Sequence, residues 1–293
     1  MRITNNLTTR NALASLQKSL RAVDDAQHRA TTGLRVEQGS DDPSAATAIV
    51  SAGSSLRAIE QYQRTINAAT SRMAAEEQAL SSVTQLLERV KELAISQGTA
   101  TANASTRLTV KSEVDQILQA VIQLGNQKVD GEYLFGGDQS SVMPLTSSTP
   151  PFTAAAPTGA RRMEISSNLR ITAGHNATDV FLNSGVLAAI DQLSTALAAD
   201  DDVAIRASIT TIDSAHAATQ VLIGESGAQS AQLEIASANL GALDTSLRAF
   251  RSNLQDADLE KAVTDLVSRQ TAYQAAMLAT SRIMGMSLTD YLR

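Results

Sequence analysis

The sequence predicts a mainly α-helical protein, an elongated antiparallel bundle of long helices with coiled-coil terminal helices and a small β-containing central module. Three observations predict this fold. Hydrophobic residues make up 43% of the 293 residues but aromatic residues only 3%, a composition typical of helices that pack along narrow seams. Apolar residues recur at heptad spacing in both halves of the chain. All prolines except Pro43 fall between residues 144 and 157, so the helical pattern is interrupted once and then resumes.

The first segment carries a heptad seam along most of its length. Its seam positions, all apolar except Gln27, follow one another at alternating spacings of three and four residues between 13 and 34, which predicts a helix that packs along one stripe. The residues expected to make assembly contacts here are Leu13, Leu16, Leu20 and Val23. Glycines at 33 and 39 then predict a turn.

Two adjacent carboxylates, Asp41 and Asp42, stand directly before Pro43. Such a pair could hold a metal ion, perform acid–base chemistry or begin a helix. Proline is favoured at the first helical position, and aspartate at the N-cap accepts hydrogen bonds from free backbone amides. A calcium site would need further oxygen ligands at regular spacing. We therefore expect Asp42 to cap a helix that begins at Pro43, with Asp41 adding a favourable charge near its positive end.

The next segment predicts one long helix from residue 44 to about residue 96. Every seventh residue is apolar, a repeat typical of a left-handed bundle, and at about 1.5 Å per residue the helix would extend about 80 Å. A polar turn over 97–106 and a second, returning helix follow. The core positions expected in these two helices are Ile59, Ile66, Met73, Leu80, Leu87, Val114, Ile117 and Val121.

The stretch GEYLFGG at 131–137 predicts the start of the central module. Glycines such as Gly136 and Gly137 permit tight chain reversal, while Tyr133, Leu134 and Phe135 require burial. A phosphate-binding loop fits poorly, since no lysine or helix start follows. Residues 138–160 are rich in Ser, Thr, Pro and Gly and predict a loop, and 163–174 and 179–183 predict short strands.

Helical periodicity returns after residue 185 and continues to the C-terminus. Leu240 and Leu247 lie in a seam that again steps by three and four residues. After residue 256, a last seam contains Leu259, Val263, Leu266, Tyr273 and Met277. The predicted division is an assembly helix at 1–40, helical halves at 41–133 and 185–255, a central module at 134–184 and a second assembly helix at 256–293.

Composition excludes several classes of function. The net charge of −6 argues against a nucleic-acid partner, and the absence of cysteine removes disulfides and thiolate sites. The three histidines lie far apart, and no nucleophile elbow, Walker loop or HExxH spacing occurs. We therefore expect that the protein is not an enzyme and that it binds neither a cofactor nor a metal ion. No apolar stretch long enough for membrane insertion occurs, and the N-terminus lacks a cleavable apolar signal core, which predicts a cytosolic protein or export without a Sec-type signal.

The terminal seams are narrow, and polar residues interrupt them. A single helix of this kind is marginal in water, so the seams must pack against each other or against neighbouring subunits. An ordinary intramolecular bundle stays open, but seams that run almost to both ends favour an assembling protein. We expect both arms to be unordered in the free subunit, because their narrow seams lack a partner within one chain.

Several motifs resemble the bacterial flagellin and hook-associated protein superfamily. The stretch TTGLRVEQGSDDPSAA, with Gly33 and Arg35 in a turn before an acidic helix start, resembles its N-terminal signature. Pro43, the YLFGG at 133–137, QTAYQAAMLATSRIMGMSL at 270–288 and the final DYLR resemble the hook–filament junction branch. The resemblance covers roughly residues 1–137 and 185–293, whereas the opening NNLTTRNALASLQKSL is nearer to a flagellin.

The resemblance implies terminal helices that form an inner tube, a helical rod and an outward central module. It also implies flagellar type III export to the cell exterior and location at the hook–filament junction. The implied partners are the preceding hook-associated protein, flagellin, further copies of the chain in a ring, and an export chaperone. A short flagellin remains the alternative, and a helical type III translocator or toxin is the alternative from another class.

Overall fold

The computed structural model describes residues 2–99, 103–154, 159–166 and 169–291. It confirms the mainly α class with a small β-containing central part. The helices are α1 (Arg2–Thr32), α2 (Pro43–Gln97), α3 (Ala104–Gly125), α4 (Val186–Ala198), α5 (Asp202–Gln255) and α6 (Leu259–Tyr291). The strands are β1 (Lys128–Val129), β2 (Glu132–Tyr133), β3 (Arg162–Ser166) and β4 (Leu169–Thr172). The last two residues of the DYLR motif, Leu292 and Arg293, lie outside the described residues.

The chain divides into two compact units. Unit 1 comprises Met1–Ala58 and Leu243–Arg293, and unit 2 comprises Ile59–Ala242. Helices α2 and α5 contribute residues to both units. The division into five segments stays a prediction, since the compact units are defined by contacts and not by motif boundaries.

The start of α2 confirms the expected helix cap. The Asp42 carboxylate accepts hydrogen bonds from the Ala45 N–H at 3.1 Å and from the Ser44 hydroxyl at 2.7 Å. The Asp42 carbonyl accepts the N–H of Ala46 at 2.8 Å, which is the first bond of the helix. Pro43 is the first helical residue, where its missing N–H costs nothing.

Unit 2 contains a continuous hydrophobic core. The predicted core residues of α2, α3 and α5 that lie in this unit are all buried: Ile59, Ile66, Met73, Leu80, Leu87, Val114, Ile117, Val121 and Leu240. Helix α4 packs against α3 and buries most of its length in the same core. The rings of Phe135 and Phe181 meet edge to face, with centroids 5.2 Å apart. Leu247, which lies in unit 1, is half-buried.

Within the described ranges, the four β-strands form two antiparallel pairs. In the first, Lys128 pairs with Tyr133 and Val129 with Glu132, and the loop residues Asp130 and Gly131 have φ of 53° and 83°. Positive φ at both loop positions is the geometry that an Asp-Gly hairpin favours. In the second hairpin β3 pairs with β4, which confirms the strands predicted within 163–174.

The strand predicted at 179–183 is wrong. Thr178–Asn183 forms one π-helical turn, in which the consecutive residues Val180 and Phe181 are both buried. The Asn176 side-chain oxygen accepts the N–H of Asp179 at 2.8 Å and so starts a helical turn. A short apolar run does not distinguish a strand from a buried helical turn, and this local hydrogen bond decides between them.

Unit 1 contains α1 and α6, which pack against each other. Val23 and Ala26 are the buried residues of α1 among the side chains that the structure describes. The premise that the terminal seams have no partner within one chain is therefore wrong, because each terminal helix contacts the other. The order of the two arms in solution stays a prediction.

Candidate assembly interface

The turn after α1 begins at a glycine in the left-handed region. Gly33 has φ of 68°, and its N–H donates to the Arg29 carbonyl at 3.0 Å. This is the usual end of an α-helix, where a side chain would be strained. Gly33 therefore sets the direction in which the chain leaves the terminal helix.

The two adjacent aspartates of the helix-start turn have different partners. The Asp41 carboxylate accepts the N–H of Glu37 at 3.1 Å and of Gln38 at 2.9 Å, and these backbone hydrogen bonds lower its pKa. The Ser44 hydroxyl and the Ala45 N–H lower the pKa of Asp42. Asp41 thus holds the turn closed, in addition to any effect on the helix dipole, and Asp42 caps α2. Both carboxylates are occupied as acceptors, so the pair has a structural role.

Arg35 joins this turn to the end of α5 within unit 1. Its guanidinium donates to the Leu254 carbonyl at 2.6 Å and lies 3.4 Å from the Asp42 carboxylate. The backbone N–H groups of Arg35 and Val36 donate to the Gln255 carbonyl at 2.7 and 3.2 Å. The arginine predicted to belong to the helix-start turn therefore reaches across to the C-terminal part of the chain.

The same connection continues on both sides of Arg35. Leu34 and Asp256 form an isolated antiparallel bridge, and the Ala257 N–H donates to the Gly33 carbonyl at 2.8 Å. The turn that follows α1 and the turn that precedes α6 are thus joined by backbone hydrogen bonds. We call this junction, residues 33–42 with 254–258, the corner.

The predicted seam of α1 divides into two faces. Leu16 is half-buried and Val23 is buried, whereas Leu13 and Leu20 are 52% and 43% exposed. Leu7 is also exposed. Leu13 and Leu20 are seven residues apart, about two turns, so they lie on one stripe along the helix, and Leu7 lies about 120° away around the helix axis. α1 therefore presents an apolar outer face in addition to the face directed towards the interior of unit 1.

Helix α6 divides in the same way. Leu266 and Tyr273 are half-buried, and Leu259, Val263 and Met277 are exposed. Two further exposed apolar residues, Val267 and Leu278, were not part of the predicted seam. Since large exposed apolar patches mark interaction sites, the outer faces of α1 and α6 together form a candidate assembly interface.

The start of the central module is a packed anchor in unit 2. Leu134 and Phe135 are fully buried, and the Arg72 guanidinium donates to the carbonyls of Tyr133 and Leu134. Tyr133 is half-buried under the Lys128 ammonium, which lies 4.4 Å from its ring centre.

The two glycines that end this stretch have steric roles. A Cβ on Gly136 would lie 2.8 Å from the Ser140 Cα, and Gly137 has φ of 59°. The close backbone approach and the positive φ each require a residue without a side chain. These glycines therefore shape a tight turn and not a phosphate-binding loop.

Two buried charged clusters were not predicted. Arg107 is buried, and its guanidinium donates to Asp200 and to the Gln97 carbonyl. Glu76 is fully buried and contacts His175. Glu76 occupies a heptad position three residues after Met73, and a charged residue at such a core position was the available signal.

Across the described ranges no group of three or more His, Cys, Asp or Glu residues is arranged to hold a metal ion. In the same part of the chain, no helix combines the length and apolar character that crossing a bilayer requires.

The chain belongs to the bacterial flagellin family. The model of the flagellin N-terminal helical region matches residues 3–140, and the model of the C-terminal helical region matches residues 209–292. Both matched regions include a terminal helix and residues of the corner. Members of this family are structural proteins of the flagellum.

Two individual relatives and one solved structure show which members of the family the chain resembles. The chain is 25% identical to flagellar hook-associated protein 3 of Salmonella typhimurium, over 88% of this chain and 89% of that protein. It is 24% identical to the flagellin of Bacillus subtilis over the whole of both chains. A solved structure of a flagellar hook-associated protein from Vibrio parahaemolyticus superposes with a TM-score of 0.67 at 18% identity, over 74% of this chain and all of that one. The chain is thus similar both to hook-associated protein 3 and to a flagellin.

Proposed function

We propose that this protein is a structural adaptor at the hook–filament junction of a bacterial flagellum. The resemblance to hook-associated protein 3 supports this role. The observation that carries the assembly mechanism is the exposed apolar face on each terminal helix, Leu13 and Leu20 on α1 and Leu259, Val263 and Met277 on α6. Burial of apolar area at about 25 cal/mol per Å² favours association of such faces.

The proposed partners follow from this role. The terminal helices pack between copies of the chain in a ring, with the preceding hook-associated protein on one side and flagellin on the other. An export chaperone covers the C-terminal helical region before assembly, and the chain leaves the cell by flagellar type III export. The structural character of the relatives agrees with a role that involves no catalysis.

A filament-forming flagellin is the second candidate, because the Bacillus subtilis flagellin aligns over the whole of both chains. Seeded growth distinguishes the two functions. Purified monomer is added to fragments of the filament from the same bacterium, and filament length is followed by electron microscopy.

A junction protein should bind fragment ends or stay monomeric without lengthening them. Continued elongation by this chain alone would contradict the adaptor role and support a flagellin. The flagellin of the same bacterium, added to the same fragments, is the positive control.

A further inference from the structure

A histidine in unit 2 lies between two carboxylates from different helices. The His175 backbone N–H lies 3.1 and 3.2 Å from the two Glu76 carboxylate oxygens, and the ring Nδ1 lies 2.5 Å from Oε1. The ring Nε2 lies 3.1 Å from the Glu225 carboxylate. Glu76 belongs to α2 and Glu225 to α5, so His175 connects two long helices.

This arrangement requires the imidazolium form. A neutral imidazole has one N–H and one lone pair, and the lone pair would then face a carboxylate. Only the protonated ring donates from both nitrogens at once. Glu76 is fully buried, and a buried carboxylate that loses its paired cation is strongly destabilising.

The backbone around His175 is fitted to Glu76. Gly174 has φ of 93°, and a Cβ there would lie 2.5 Å from the Glu76 Oε2. The Gly174 N–H donates to the Gln229 side-chain oxygen of α5 at 3.2 Å. The segment that follows β4 therefore contacts both α2 and α5 through residues 174 and 175.

The charged surroundings of the ring are few among the described residues. Glu76 on α2 and Glu225 on α5 face its two nitrogens. One helical turn before Glu76, Arg72 is directed to the Tyr133 and Leu134 carbonyls and lies 3.8 Å from Glu132. On the segment's own side, the Asp179 carboxylate accepts from Asn176 and Asn183. His175 is thus the cation that directly contacts Glu76.

The pKa of His175 also favours the protonated ring. Burial alone would lower the pKa of His175, but the hydrogen bonds and charges of Glu76 and Glu225 outweigh it and raise the pKa above 6.5. A raised folded-state pKa means that the contribution to stability is complete below the unfolded pKa of 6.5. It is lost as the pH rises through the folded-state pKa.

We propose that Glu76, His175 and Glu225 form a protonation-dependent clamp that fixes the segment after the β3–β4 hairpin onto α2 and α5. In the protonated state the clamp connects both helices to the central module. Loss of the proton leaves Glu76 without the cation that contacts it, although the charge of Arg72 still acts on Glu76, and the hairpin then opens more readily from the two helices.

Nuclear magnetic resonance and hydrogen exchange on the full chain test this clamp. The protein contains three histidines, so each imidazole signal can be followed against pH, and the signal absent from H175Q identifies His175. We expect His175 to titrate above pH 6.5. Exchange of the β4 amides, corrected for the intrinsic pH effect, should accelerate over the same pH range, by about tenfold for each unit by which the pKa is raised.

Two variants keep the test decisive. Glu225 is a largely exposed residue, so E225Q should fold, and it should lower both the pKa of His175 and the midpoint of the exchange change. H28Q, at an exposed histidine of α1, is the matched control and should alter neither. A His175 pKa at or below 6.5, an exchange profile without a step at its titration, or an unchanged midpoint in E225Q would overturn the proposal.

Discussion

Asp41 and Asp42 are chemically identical neighbours that the fold uses differently. Each carboxylate faces different free N–H groups, those of Glu37 and Gln38 for Asp41 and that of Ala45 for Asp42. The sequence could predict the cap, because Asp before Pro is a helix-start signal. It could not predict the role of Asp41, because a hydrogen bond to a residue three or four positions earlier depends on the turn geometry.

The cap predicts a specific response to substitution at Asp42. D42A should lower the thermal midpoint, because the Ala45 N–H loses its acceptor, whereas D42N should keep most of the stability, since Asn is also a good cap. The pKa of Asp42 is lowered from 3.8, so its contribution is complete above pH 3.8 and is lost as the pH falls through the folded-state pKa.

Circular dichroism melts between pH 2 and pH 7 measure this effect. The difference between wild type and D42N should depend on pH only at the acid end of the series. Equal melting of D42A and D42N at pH 7 would contradict the capping role.

Substitution of the buried Arg107 is also expected to lower the stability of the protein. R107M removes the donors to Asp200 and to the Gln97 carbonyl in a buried site. Since an unsatisfied buried polar group costs about 1–3 kcal/mol, we expect a loss of about that size in the free energy of unfolding. No seam or motif marks the position of Arg107, so its burial and its contacts could not be predicted from the sequence.

Urea unfolding followed by circular dichroism measures this loss. R206M is the matched control, because the exposed Arg206 makes an ion pair with Asp202 and such pairs contribute about 1 kcal/mol or less. If R107M and R206M unfold at the same urea concentration, the buried guanidinium does not have the stabilising role inferred from its contacts.

At the scale of elements, the long helices were the most predictable part of the fold. Helix α2 runs from Pro43 to Gln97, within one residue of the predicted start, because a cap and a proline mark its beginning and glycine follows its end. The π-helical turn at 178–183 was not predictable from spacing, since its buried pair of residues is consistent with two kinds of structure. Strong periodic signals therefore fix long elements, and local side-chain contacts decide short ones.

The heptad pattern predicts which leucines stabilise the helices. Leu80 on α2 is fully buried, whereas Leu108 on α3 is 54% exposed. L80A should lower the free energy of unfolding by about 2–5 kcal/mol through lost burial and the cavity left behind. L108A should change it by about 0.5 kcal/mol or less.

Both values follow from equilibrium urea titrations under identical conditions. The two substitutions remove the same atoms, so the comparison isolates burial. A similar loss in both variants would mean that the packing of α2 contributes no more than the surface of α3.

At the scale of the whole molecule, the positions of the apolar seams could be predicted from the sequence. Which residues of each seam are buried and which are exposed could not. Heptad positions in α1 and α6 predicted apolar stripes, and both helices carry them. The pattern could not say that Val23 would be buried within unit 1 while Leu13 and Leu20 stay exposed, because both sets satisfy a spacing of three and four residues. The choice depends on the angle at which the two helices meet, which a sequence period does not contain.

Because Leu13 and Leu20 are exposed, we expect their substitution to impair assembly without impairing folding. The double variant L13D/L20D should keep the urea midpoint within about 0.5 kcal/mol of wild type, because both side chains are already exposed. It should fail to restore filaments in a strain that lacks the wild-type gene, since charged side chains on a buried subunit interface are costly to desolvate.

L108D, at an equally exposed leucine in unit 2, is the matched control and should restore filaments. Secretion of each variant is measured in culture supernatants, so that failed export is separated from failed assembly. If L13D/L20D is secreted at the wild-type level and filaments form normally, the outer face of α1 is not an assembly contact. If L108D also abolishes filaments, the effect is not specific to the terminal helix, and the assembly interface must extend to α3 as well.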